Sequence, residues 1–163
     1  MDGTVVSGLS SDVAALPGDL TGDGWTVWRP DVPRMAVEPS NGSPTVWFAR
    51  SNEVAGVKAL ITADYTADPA HVKAVFLLGR VPVPYSGNLN PDGHSEHQGA
   101  WPADAFSGDM DGSWTASSIN SVVASHHRNL NVPGDGKFAT TTLASILDTE
   151  ACGVAVAHMS AFP

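Results

Sequence analysis

The run VKAVFLL at residues 72–78, stopped by Gly79, constrains the fold more than any other stretch. A nearly continuous apolar run of that length, ended by a glycine, predicts a strand buried on both faces. Such strands belong to parallel sheets covered by helices. The preceding segment supplies a helix. In residues 51–65, SNEVAGVKALITADY, Ser51 is an N-cap, and apolar side chains recur at Val54, Val57, Leu60 and Ile61. Asp68-Pro69 ends it. Helix followed by buried strand predicts an α/β fold with a parallel-sheet core and flanking helices. A chain of 163 residues makes one domain, residues 1–163, with a single core.

The remaining elements are shorter. Ser10 and Ser11 form an N-cap signal, and Val13, Leu16 and Leu20 share a helical face. Pro17 interrupts that face, so residues 7–20 predict a short or kinked helix. The Asp19 to Gly24 stretch has the acid spacing that opens an EF-hand loop. Its twelfth position is Pro30, which favours a plain helix-stop turn. Residues 25–28, WTVW, alternate like a strand. Prolines at 30, 33, 39 and 44 make residues 31–44 a loop. Residues 80–101 form a long connection of the kind that carries function. Residues 101–106 predict a short strand with Asp104 near its end. Ile146 and Leu147, then residues 154–157, predict one more helix or strand.

Charge narrows the partners. Seventeen acids against eight bases give a net charge of −9, with only 15% charged residues. Nucleic acid is excluded, because its binding draws on phosphate neutralisation. Anionic membrane surfaces are excluded for the same reason. A small neutral substrate fits better. The charge content is too low for charged disorder, and sixteen glycines with twelve prolines indicate a loop-rich globular chain. Residues 1–4 carry no basic or apolar leader, so no signal peptide is read there. No apolar run is long enough to span a bilayer. The chain is expected to be soluble, as a piece of a secreted or cell-surface protein. Cys152 is the single cysteine, which leaves no intrachain disulfide. His158 lies six positions on, yet a small buried thiol accounts for Cys152 better than a nucleophile does.

The chemistry is concentrated between His94 and Lys137. Asp109-Met-Asp111-Gly112 and Asn129-Leu-Asn131-Val-Pro-Gly134-Asp135 place oxygen ligands on glycine-bearing turns. Calcium takes six to eight oxygens, and Asp109, Asp111, Asn129, Asn131 and Asp135, with carbonyls and water, meet that demand. The bland account is two solvated turns with Asx caps. Asp92, His94, His97 and Asp104 form a second constellation. Its H-x-x-H spacing with a carboxylate suits zinc, although the helical HExxH frame is missing. His94 or His97 also suits a general base, since imidazole titrates near neutrality. Exposed loop histidines without metal are the bland account here. Neither a G-x-S-x-G elbow nor a nucleotide-binding glycine loop is present.

The stretch VKAVFLLGRVPVPYSGNLNPDGHSEHQGAWPADAFSGDMDGSWT resembles the first half of a gingipain-like, caspase-fold domain of secreted bacterial proteins. Residues 72–79 match that family's first strand and glycine loop. Residues 101–106 match its second strand, and residues 108–112 its acidic loop. The likeness covers roughly residues 7 to 150 and implies the fold and calcium binding. Ala116 and Ala139 stand where the family carries further acids, and Ala151-Cys-Gly-Val154 stands where it reads Val-Gly-Arg. The family's histidine and cysteine lie beyond that strand, so no protease residues carry over.

Three functions are weighed. The first is a calcium-dependent hydrolase of a neutral ester or lactone, with His94 or His97 as base and Asp104 beside it. It is similar in metal logic to hydrolases of acylhomoserine lactones. The second is a non-catalytic, calcium-stabilised module of a secreted caspase-like peptidase. The third is a zinc-dependent hydrolase using His94, His97 and Asp104.

Overall fold

The computed structural model describes residues 1–36, 44–86, 94, 102–110, 112, 114 and 155–159. The elements in order are α1 (Val5–Gly8), α2 (Ser10–Gly22), α3 (Pro44–Ala67), β1 (Ala74–Leu78), α4 (Ala105–Gly108) and β2 (Ala155–Met159). β1 and β2 pair in parallel, from Ala74 opposite Ala155 to Leu78 opposite Met159. Parallel neighbours require a long crossover. Here residues 79–154 supply it, and they contain every histidine and acid of the two constellations. No helix among the described residues is long and apolar enough to cross a membrane.

The packing follows from the helical spacing read in α3. Val57 and Ile61 are buried against Leu77 of β1, Val32 and Val81, with Val75 and Met110 at the margin. Burial of each such side chain contributes about 1.5–3 kcal/mol. α3 is longer than its N-cap signal indicated, since it begins at Pro44, not after Ser51. Proline is tolerated in a first helical turn because its missing N–H has no partner there anyway. α2 carries Pro17 inside it, and the Thr21 hydroxyl donates to the Pro17 carbonyl at 2.7 Å. β1 is less enclosed than a strand covered on both faces: Leu77 is buried, while Phe76 is 47% exposed.

A small knot of polar contacts fixes the carboxyl end of β1. Asp2 bridges in parallel to Val32. Its amide donates to the Leu78 carbonyl at 2.9 Å, so Asp2 lies between Val32 and the end of β1. The turn after β1 needs Gly79, whose φ is +89°. A Cβ at Gly79 would stand 2.7 Å from both Asp2 Cβ and Val5 Cγ2.

Two expected strands take other forms. Residues 25–28 form no strand. The Trp25 amide closes the end of α2 on the Leu20 carbonyl, and Gly24 turns the chain with φ +94°. A strand needs a paired edge, and Met1–Asp2 holds the neighbouring position at Val32. In residues 101–106, Pro102 makes a single antiparallel bridge to Tyr85, and α4 then begins at Ala105. The Ser107 amide finds the Asp104 carbonyl at 2.9 Å, so the backbone closes locally and does not ladder.

Candidate functional site

The histidine segment follows β1 in the chain, and its two ends meet a few residues beyond that strand. Tyr85 and Pro102 bridge across its base, and the Ala103 amide donates to the Pro84 carbonyl at 2.9 Å. Pro84 is fully buried, which anchors the stem. His94, between the two ends, is exposed. Asp104, two residues past the bridge, is half-buried at the start of α4.

The acidic turn follows α4, and its geometry is held from inside. Asp109 is 5% exposed. Its Oδ1 accepts the Gly112 amide at 2.9 Å, and its Oδ2 accepts the Trp114 indole N–H at 2.7 Å. A Cβ on Gly112 would fall on the Asp109 carboxylate, so glycine is required for the turn to close. Trp114 also meets the Phe106 ring edge-on, at 5.6 Å between centroids and 86° between planes.

Lys58 reaches this turn from α3. Its ammonium donates to the carbonyls of Ser107, at 3.4 Å, and Asp109. It also lies 5.5 Å from the centre of the Phe106 ring. Burial lowers the Lys58 pKa, and the neighbouring Asp109 charge works against that shift. Lys58 sits four residues after Val54 and three before Ile61, within the apolar stripe of α3. A charge within the apolar stripe of a helix is the sequence signal that marks it, although it belongs to no motif.

These contacts bear on the metal ligands read from the sequence. Asp109 serves as acceptor for two protein donors, and a protein cation already binds the carbonyl beside it. An ion bound at this carboxylate would share its oxygens with the Gly112 amide and the Trp114 indole. Asp111, Asn129, Asn131, Asp135 and His97 lie outside the described residues. Among the described residues, no three of His, Cys, Asp and Glu gather as a metal-binding group. His94 and Asp104 share the histidine loop and its foot.

Replacing Lys58 by methionine tests the clamp. Two charge-assisted hydrogen bonds are lost, while the apolar stem is kept and the burden of a buried ammonium is relieved. The expected net loss is about 1–2 kcal/mol by urea unfolding. An unchanged or raised midpoint would show that Lys58 does not hold the turn.

Compared with known protein families, with characterised proteins and with solved structures, the chain has no match.

Proposed function

We propose that this chain is a calcium-dependent hydrolase of a neutral ester or lactone, with acylhomoserine lactones among the candidate substrates, on an α/β scaffold with a parallel-sheet core. The observation that carries this reading is the stapled loop. A long polar segment bearing His94 and His97 is closed at its base by Tyr85 and Pro102, and it follows the parallel strand β1 in the chain. His94 is exposed, as a group that must meet substrate and water has to be. In this reading His94 or His97 takes a proton from the attacking water, and Asp104 at the loop's foot orients the base. Asp111, Asn129, Asn131 and Asp135 would hold the ion, and Asp109 with Lys58 shapes the turn that Gly112 closes. Bound calcium supplies polarisation of the substrate carbonyl.

A second reading has its own support. The internal fixing of Asp109 by Gly112, Trp114 and Lys58 is what a structural turn needs, and it favours a non-catalytic, calcium-stabilised module of a secreted caspase-like peptidase. Zinc held by His94, His97 and Asp104 is the third reading.

One experiment separates them. Metal-stripped protein is screened on esters and lactones, alone, with calcium and with zinc, and its melting temperature is followed in parallel. Calcium at one hundred times Kd is expected to stabilise by about 2.7 kcal/mol. Asp111→Ala or Asp135→Ala should abolish that gain. Turnover restored by calcium alone supports the hydrolase. Stabilisation without turnover on any substrate selects the module, and turnover with zinc alone selects the third reading. A melting temperature indifferent to calcium removes the calcium site altogether.

A further inference from the structure

Lys58 divides its donors among three acceptors of one turn. Two are the carbonyls of Ser107, at 3.4 Å, and Asp109. The third is the thioether of Met110, with 4.0 Å between Nζ and Sδ. An ammonium has three N–H donors and accepts nothing, so this set is complete. The acceptors are unequal. Carbonyl oxygens are strong partners, and a thioether sulfur is a weak one. Half-buried beside the Phe106 ring, the ammonium lacks the full water shell that would offset a weak partner.

Met110 serves two neighbours at once. It packs at the margin of the core cluster that includes Val57, Ile61 and Leu77, and it is only half-buried. Leucine would fill that margin as well, since methionine is a general filler of such gaps. Leucine would leave Lys58 with two acceptors. Methionine also adds a chemistry that leucine lacks: its thioether oxidises to a polar sulfoxide, which sulfoxide reductases convert back. With hydrogen peroxide as oxidant, the sulfur gives an electron pair to one peroxide oxygen and the O–O bond breaks. The other oxygen leaves as hydroxide and takes the proton of the transferred oxygen, forming water. Sulfur is oxidised by two electrons, and the peroxide is reduced by the same two.

We infer that Met110 is an oxidation site whose sulfoxide oxygen is captured by Lys58, so that peroxide converts the weak third contact of the clamp into a charge-assisted hydrogen bond. The 4.0 Å between Nζ and Sδ leaves room for one oxygen between them. A sulfoxide at a core margin ordinarily disrupts packing. Here its oxygen meets a cation instead of hydrocarbon, and a hydrogen bond to a charged group is roughly twice as strong as a neutral one. The same ammonium holds the Ser107 and Asp109 carbonyls, so oxidation keeps the turn between α4 and Gly112 closed. The inference stands apart from the hydrolase reading, because it uses neither the histidines nor a metal.

The test treats the full chain with hydrogen peroxide in calcium-free buffer and locates sulfoxide by peptide mass spectrometry. Met110 is expected to convert in the folded protein. Met110→Leu, treated in the same way, subtracts the effect of the other methionines on urea unfolding. Oxidation at Met110 should cost the folding equilibrium about tenfold less with Lys58 present than in Lys58→Leu, the value of one hydrogen bond to a charged group. Met110→Gln, whose amide oxygen imitates the sulfoxide, should show the same coupling to Lys58 with no oxidant present. In the unsubstituted chain, exchange of the Lys58 ammonium protons, followed by NMR of the side-chain nitrogen, should slow on oxidation and recover after treatment with methionine sulfoxide reductases. An equal cost of oxidation with and without Lys58 would overturn the proposal. So would unchanged ammonium exchange in the oxidised chain, a measurement that stands even if Lys58→Leu does not fold. Met110 left intact by peroxide that converts the free amino acid would overturn it as well.

Discussion

Asp2→Ala is expected to destabilise the fold by about 3–5 kcal/mol, the range found when one partner is removed from a buried charged network. Asp2 has no solvent exposure. Its Oδ1 accepts the Thr4 amide at 2.9 Å and the Thr4 hydroxyl at 2.7 Å. Its Oδ2 accepts the Arg80 amide and the Arg34 guanidinium, each at 3.1 Å. Alanine leaves these donors unmatched beside a turn that Gly79 has already packed to contact. For a chain of this size the loss lowers the melting temperature by about 10 °C or more. A shift in unfolding free energy below about 1 kcal/mol would show that the knot is not a stability centre.

The same carboxylate gives a pH signature. Burial alone would raise its pKa, but the Thr4 hydroxyl and amide, the Arg80 amide and the Arg34 charge outweigh that effect and lower it. A depressed carboxyl pKa stabilises the fold above the unfolded value, about 3.9, and that contribution is lost as pH falls through the folded value. The Asp2→Asn protein lacks this ionisation. Its stability deficit against the parent should therefore be full near neutrality and shrink below about pH 4. A deficit constant from pH 7 to pH 2.5 would contradict the assignment.

The contrast between α3 and Asp2 shows what the sequence made legible. The spacing of Val54, Val57 and Ile61 is local, so it identified the buried face of α3 directly. The run ending in Gly79 likewise identified β1, whose parallel partner is β2. Asp2 had no comparable signal, because its partners Val32, Arg34, Leu78 and Arg80 are close only after folding. Residues 25–28 had strand chemistry but pair with no strand among the described residues, and alternation cannot report whether a neighbour is present. Asp109 stood out as an acid on a glycine-bearing turn. Sequence spacing could not reveal that Trp114, Gly112 and Lys58 would turn toward it, since those contacts form only on folding. The stem of the histidine loop was legible as two ends of a long connection, but not its closure by Tyr85 and Pro102.

Replacing the histidine that acts as base is expected to cost on the order of 10²–10⁴ in turnover, the usual contribution of a positioned proton acceptor. His94→Ala and His97→Ala are compared side by side, with kcat and metal affinity measured on each. Calcium affinity should barely change in either variant, because calcium selects oxygen ligands and neither imidazole is among them. A zinc ligand would behave differently: its removal should weaken metal binding and turnover together. Asp104→Asn adds a third arm. If Asp104 orients the base through the stapled foot of the loop, the variant should lower kcat while leaving calcium affinity intact. Its effect should also vanish in the background of the relevant histidine variant, since the two then act as a unit. Full activity in both histidine variants would sink the general-base assignment and leave the carboxylates of the acidic turn as the remaining proton acceptors.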